Sequence, residues 1–112
     1  MPKYLLIYHE SAEPGPQPSP EEMQEFLKLW DGWFKQFGKK IVDPGDGLLP
    51  TGRVLKAGGV VADGPYVEAK EMVGGFSVVE AGSYDEAVEI AKLCPIAMMG
   101  TPIEIREFAG YV

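Results

Sequence analysis

The chain predicts an α+β fold in the order strand, helix, strand, strand, helix, strand, with an extra hairpin in the middle. Three observations carry that expectation. The segments Lys3 to Tyr8 and Met72 to Glu80 are apolar on both faces and read as central strands. Ser19 and Ser83 each open a capping box ahead of an amphipathic stretch. Ile103 to Phe108 alternates apolar and polar residues, as a half-exposed edge strand does. With 112 residues there is room for one core and no second domain.

Taken in order, Lys3-Tyr-Leu-Leu-Ile-Tyr8 is the first strand, and the three prolines and one glycine of Glu13 to Pro18 form an extended loop. Ser19 caps a helix, Pro20 suits its first position, and Glu22 completes the box. Met23, Phe26, Leu27, Trp30, Phe34 and Phe37 repeat at helical spacing and read as its buried stripe. Leu29 and Trp33 lie on the flank of that stripe, and Gly38 ends the helix. Asp43-Pro-Gly-Asp-Gly47 is a loop by composition. Arg53 to Lys56 and Val60 to Ala62 flank Ala57-Gly58-Gly59 as a hairpin, and Asp63-Gly64-Pro65-Tyr66 is a tight turn. Gly74-Gly75 opens the next strand, as a bulge or as a place of close backbone or ligand approach. The second helix carries Ala87, Val88, Ile90, Ala91 and Cys94 and stops before Pro95. Met98 and Met99 then read as loop or adaptable filler.

This is the ferredoxin-like split plan, in which the first and third strands are central. Two helices cover one face of its sheet. The alternation Tyr4/Leu6/Tyr8 against Leu5/Ile7 leaves the other face apolar as well, and no helix remains to cover it. A second copy of the chain is the simplest cover, so a homodimer packed sheet to sheet is expected.

Composition narrows the function classes. Ten basic against 17 acidic residues give a net charge of −7. Most of it lies in the second half: residues 57–112 hold three basic and nine acidic residues, against seven and eight in residues 1–56. Such a surface argues against nucleic acid or an anionic membrane as partner. No apolar run approaches the roughly 20 residues of a membrane span, and no signal peptide is visible, so a cytoplasmic location is expected. One cysteine and one histidine exclude an internal disulfide and a multi-cysteine or multi-histidine metal site within the chain. No metal, nucleotide or flavin motif is present, and no cofactor is expected.

Asp63-Gly-Pro-Tyr66-Val-Glu68-Ala-Lys70-Glu-Met-Val-Gly74-Gly75-Phe76 resembles the signature D-G-P-F-x-E-x-K-E-x-x-G-G-F of the YCII-related, DGPF-domain family, with Tyr66 where Phe is usual. The opening strand and the closing Ile-Glu-Ile-Arg are similar too. The resemblance implies a ferredoxin-like fold and a dimeric α/β-barrel assembly. Some relatives are proposed to use a His–Asp pair, and one is similar to a dehydrochlorinase acting on a hydroxylated aromatic ring. Others lie beside alternative sigma factors, which implies an accessory or regulatory role. The helix from Ser19 to Gly38 holds no counterpart of the histidine that catalytic relatives carry in their helix.

The candidate site residues follow. His9 leaves the first strand as either a structural or solvated side chain or a general acid/base, its intrinsic pKa of about 6.5 suiting the second role. Asp63 is the carboxylate its motif singles out to orient His9, with Glu10 and Glu68 behind it; alternatively Asp63 serves only the turn. Lys70 offers a cation for a carboxylate or phenolate ligand, or simply pairs with Glu68 or Glu71. Tyr66, Glu68 and Lys70 are candidate binding residues, and Trp33 is a candidate pocket wall or dimer contact. Cys94 reads as inert packing. Two functions compete: a homodimer binding an aromatic or oxo-acid metabolite, with cofactor-independent proton transfer by His9 and Asp63, and a non-catalytic accessory or regulatory dimer.

Overall fold

A computed structural model describes every residue except Pro14, Glu68 and Ala69. The elements are β1 (Lys3–Ser11), α1 (Pro20–Phe37), β2 (Ile41–Gly47), β3 (Gly52–Leu55), β4 (Val61–Gly64), β5 (Glu71–Glu80), α2 (Tyr84–Lys92), α3 (Pro95–Met98) and β6 (Ile103–Glu107). Four strands form an antiparallel sheet in the order β2-β5-β1-β6, the ferredoxin-like arrangement, with β1 and β5 central as their two apolar faces require. The hairpin β3–β4 stands apart as a two-stranded sheet.

Tyr4, Leu6 and Tyr8 on β1 point to the helix side and join Val79, Trp33, Ala87, Ile90, Ala91 and Cys94 in one core. Leu5 and Ile7 point the other way, in register with Val78 and Phe76 of β5. These four stay half-buried, an apolar strip with no helix over it.

The Ser19 capping box forms in full: Ser19 Oγ accepts from the Glu22 amide and Glu22 Oε1 from the Ser19 amide, both at 3.1 Å. At Ser83 only half of it forms. Ser83 Oγ accepts from the Glu86 amide, while the Glu86 carboxylate turns to the Gly82 amide at 3.1 Å and to Lys40 Nζ at 2.9 Å. That ion pair ties the end of the α1 region to the first turn of α2.

Three local expectations change. Asp43–Gly47, read as a loop, completes the edge strand β2, although its pairing with β5 shifts register twice. Pro44 is tolerated because an edge strand has a side with no hydrogen-bonding partner. Met98, read with Met99 as loop or filler, ends the short turn α3 that Pro95 starts, and Met99 follows at its C-terminus. Trp33, placed on the flank of the stripe, is the one fully buried residue of α1. Its indole donates to the Ile90 carbonyl at 3.0 Å, which locks α1 onto α2.

Candidate functional site

The expected stripe of α1 divides along its length. Trp30, Phe34 and Phe37 pack against the core. Met23, Phe26 and Leu27, together with the outer sides of Trp30 and Phe34, wall a cavity of about 680 Å³. That volume is in the ordinary range for a small-molecule site, about 300–1,000 Å³. Met23, Leu27 and Met99 on its wall are exposed, so the cavity opens to solvent there. Trp30 is the hub of the wall, with its ring centroid 5.7 Å from Tyr8, 5.9 Å from Phe26 and 5.7 Å from Phe34.

The opposite wall is backbone made close by glycine. Tyr8 pairs with Gly75 but His9 pairs with Val73, so Gly74 is the extra residue of a β-bulge. A Cβ on Gly74 would lie 2.7 Å from Glu10 Cδ, so the Glu10 side chain lies across this glycine. A Cβ on Gly75 would lie 2.9 Å from the Asp46 carbonyl oxygen of β2. Gly45 takes φ +69° with no room for a Cβ against the Phe76 carbonyl, which presses Pro44–Gly47 onto β5. All of these residues border the cavity.

A buried hydrogen-bond chain fixes that wall. Cys94 Sγ donates to Tyr8 Oη at 3.7 Å, Tyr8 Oη to Ser77 Oγ at 2.6 Å, and Ser77 Oγ to the Pro44 carbonyl at 2.7 Å. Ser77 is the single fully buried polar residue among the described residues, and these bonds satisfy it. Burial pushes the Tyr8 phenol and the Cys94 thiol up, so both are neutral at physiological pH. Cys94 is therefore a packing thiol and Tyr8 a neutral wall.

His9 borders the cavity, but its ring bonds elsewhere: Nε2 lies 3.0 Å from Glu104 Oε1. Glu104 stands in register with Ile7, and the alternation of β1 puts both on the uncovered face of the sheet. The carboxylate partner of His9 is thus Glu104 and not Asp63. Asp63 projects from the separate hairpin β4 with its side chain 94% exposed, 3.5 Å from Arg53. Tyr66 is exposed, and Lys70 is an exposed side chain 3.5 Å from Glu13. Neither lines the cavity, and Trp33 is core rather than wall. Glu68 lies outside the described residues. Met23, Phe26, Leu27, Trp30 and Phe34, all of the expected buried stripe, line the cavity, and Trp30 and Phe34 touch the core as well. Glu10, a second choice beside Asp63 to orient His9, stands at the cavity edge.

Among the described residues no group of three or more His, Cys, Asp or Glu is placed to hold a metal ion. No helix among them is long and apolar enough to cross a membrane.

The β2-β5-β1-β6 sheet, with helices on one face and a cavity at its edge, defines a ferredoxin-like α+β protein. The YCII-related domain matches residues 35–109, well over half of the sequence, and the chain belongs to that family. The match starts at Lys35, so His9, Glu10 and the cavity-lining turns of α1 lie before it. No curated protein matches the chain. Among solved structures, 5-chloro-2-hydroxyhydroquinone dehydrochlorinase (TftG) of Burkholderia phenoliruptrix, in complex with 2,5-dihydroxybenzoquinone, is similar at 19% identity over 95% of this chain and 92% of that one, with a TM-score of 0.47. A likeness that distant carries no argument about this chain's activity.

Proposed function

We propose that this protein binds a small aromatic molecule in the α1 cavity and works as a homodimer packed sheet to sheet. The observation that carries the binding reading is the wall itself. Met23, Phe26 and Leu27 of the amphipathic stripe of α1 face an open, aromatic-lined space that Trp30 and Phe34 share with the core. Apolar surface left exposed in that way has a reason in binding more often than in folding. Of the two ligand classes expected, the lining supports the aromatic one. An oxo-acid would need a cation; among the described lining residues there is no Lys or Arg, and His9 is paired with Glu104.

If the site is catalytic, its chemistry is proton transfer, with His9 as the acid/base group and Glu104 as the carboxylate that orients it. The other reading, a non-catalytic accessory dimer, is favoured by one observation. The His9 ring points to the uncovered sheet face beside Ile7, where a second copy would pack.

Tryptophan fluorescence tests the binding reading, because Trp30 lines the cavity and Trp33 lies in the core. An aromatic ligand such as 2-naphthol should perturb the emission of the wild type and lose most of that effect in Trp30→Leu. An unchanged response in Trp30→Leu would remove the cavity as the site. His9→Ala and Glu104→Gln then separate the two readings. Loss of turnover with the dimer intact supports catalysis, whereas loss of the dimer with ligand binding intact supports the structural role.

A further inference from the structure

We propose that the ligand of the α1 cavity is an organic cation, an ammonium group carried on an aromatic or alkyl body. This rests on the reading of the cavity as a binding site and adds the charge of its occupant.

Two independent features of the lining point the same way. The first is the aromatic wall. Phe26, Trp30, Phe34 and Tyr8 surround one space, and the negative faces of such rings attract a cation within about 6 Å. The second is the sign of the charge at the edge. The carboxylates among the lining residues are Glu10 and Asp46, and no Lys or Arg joins them. Among the described residues no cation lies within 4 Å of the Glu10 carboxylate. Asp46 stands in register with Phe76, on the face away from the helices, and accepts from the Gly47 amide at 2.8 Å, so Glu10 is the carboxylate at the cavity edge. Glu10 is held over Gly74 by the bulge, since only a residue without Cβ leaves room for it there.

An anion entering this cavity would meet the Glu10 carboxylate, and the basic side chain in the described lining, His9, is already paired with Glu104. A neutral aromatic molecule would satisfy the wall and leave the Glu10 carboxylate unused. An ammonium ion satisfies both, by cation–π attraction and a charge-assisted hydrogen bond. The net charge of −7 raises the local concentration of such a ligand further.

The test is a matched series of three probes, phenethylammonium, propylbenzene and 3-phenylpropanoate, followed by tryptophan fluorescence at low salt. The cation should bind about tenfold tighter than its neutral isostere, and the anion weakest of the three. Glu10→Gln should remove most of the cation's advantage and leave propylbenzene binding unchanged. If propylbenzene or 3-phenylpropanoate binds as tightly as the cation, or if Glu10→Gln lowers all three equally, the cation assignment is overturned while the cavity remains a binding site. If none of the three perturbs Trp30, the cavity reading falls and the assignment with it.

Discussion

At the scale of single residues, the motif glycines have distinct jobs. Gly74 makes room for a flexible carboxylate side chain, whereas Gly75 makes room for a rigid backbone carbonyl. Their substitutions should therefore differ. Gly74→Ala should change stability by less than about 1 kcal/mol, because Glu10 swings aside and alanine suits a strand better than glycine does. Gly75→Ala should cost about 1–3 kcal/mol, because β2 must separate from β5 to admit the methyl group. Urea denaturation of the two variants checks this, and equal losses would mean that Glu10 is as rigid as the backbone. The motif aspartate gave the opposite lesson. Asp63 matches the signature, yet it stands on an exposed hairpin with Arg53. The expected turn begins later than its composition suggests, because Asp63 and Gly64 end β4 in register with Arg53 and Gly52.

At the scale of elements, the ion pair between Lys40 and Glu86 joins the two helical regions. The Lys40 ammonium first, and the Gly82 amide second, hold the Glu86 carboxyl below its ordinary value of 4.5. A depressed folded-state value means that the charged form favours folding. Its contribution is complete above the unfolded value near 4.5 and disappears as pH falls through the lower folded value. Glu86→Gln should therefore be less stable than wild type at pH 7, and the gap should narrow as pH falls below 4.5 and close once Glu86 is protonated in the folded state. Thermal melts across that range read it directly, and a gap that persists at acid pH would show that packing, not charge, is lost. The helices α1 and α2 and the strands β1, β5 and β6 were legible in the sequence because capping boxes and apolar periodicity are local signals. β2 was not, since Asp43-Pro-Gly-Asp-Gly47 has turn composition and becomes strand only by pairing with β5. The place of Trp33 was hidden for a similar reason. A flank position becomes core when a second helix, α2, covers that flank.

At the scale of the whole molecule, two features remain unpartnered in one chain. Leu5, Ile7, Phe76 and Val78 form a strip on the uncovered sheet face. The hairpin β3–β4 carries exposed Leu55, Val60 and Val61 around its turn, and a lone two-stranded hairpin is marginal in water. The molecule is correspondingly flat, 43 × 42 × 19 Å, with a radius of gyration of 15.5 Å against the ~13 Å usual for this length. The proposed second copy would cover the strip. Light scattering should give twice 12.2 kDa at micromolar concentration. Ile7→Glu, placed in the middle of the strip, should shift the mass to the monomer while leaving the helix-side core intact. A wild-type monomer would leave the strip without its proposed cover.

The sequence by itself determined the order of the elements apart from β2 and α3, which strands are central, and the family to which the chain belongs. Those follow from caps, a 3.6-residue stripe, a two-residue alternation and a motif. The tertiary structure alone decided which side chains meet. His9 pairs with a carboxylate 95 residues away, the first turns of the helical stripe face a cavity, and the motif carboxylate stands apart on its hairpin. The reason is that strand register and a single bulge set the destination of every side chain beyond them, and neither is written in the local pattern.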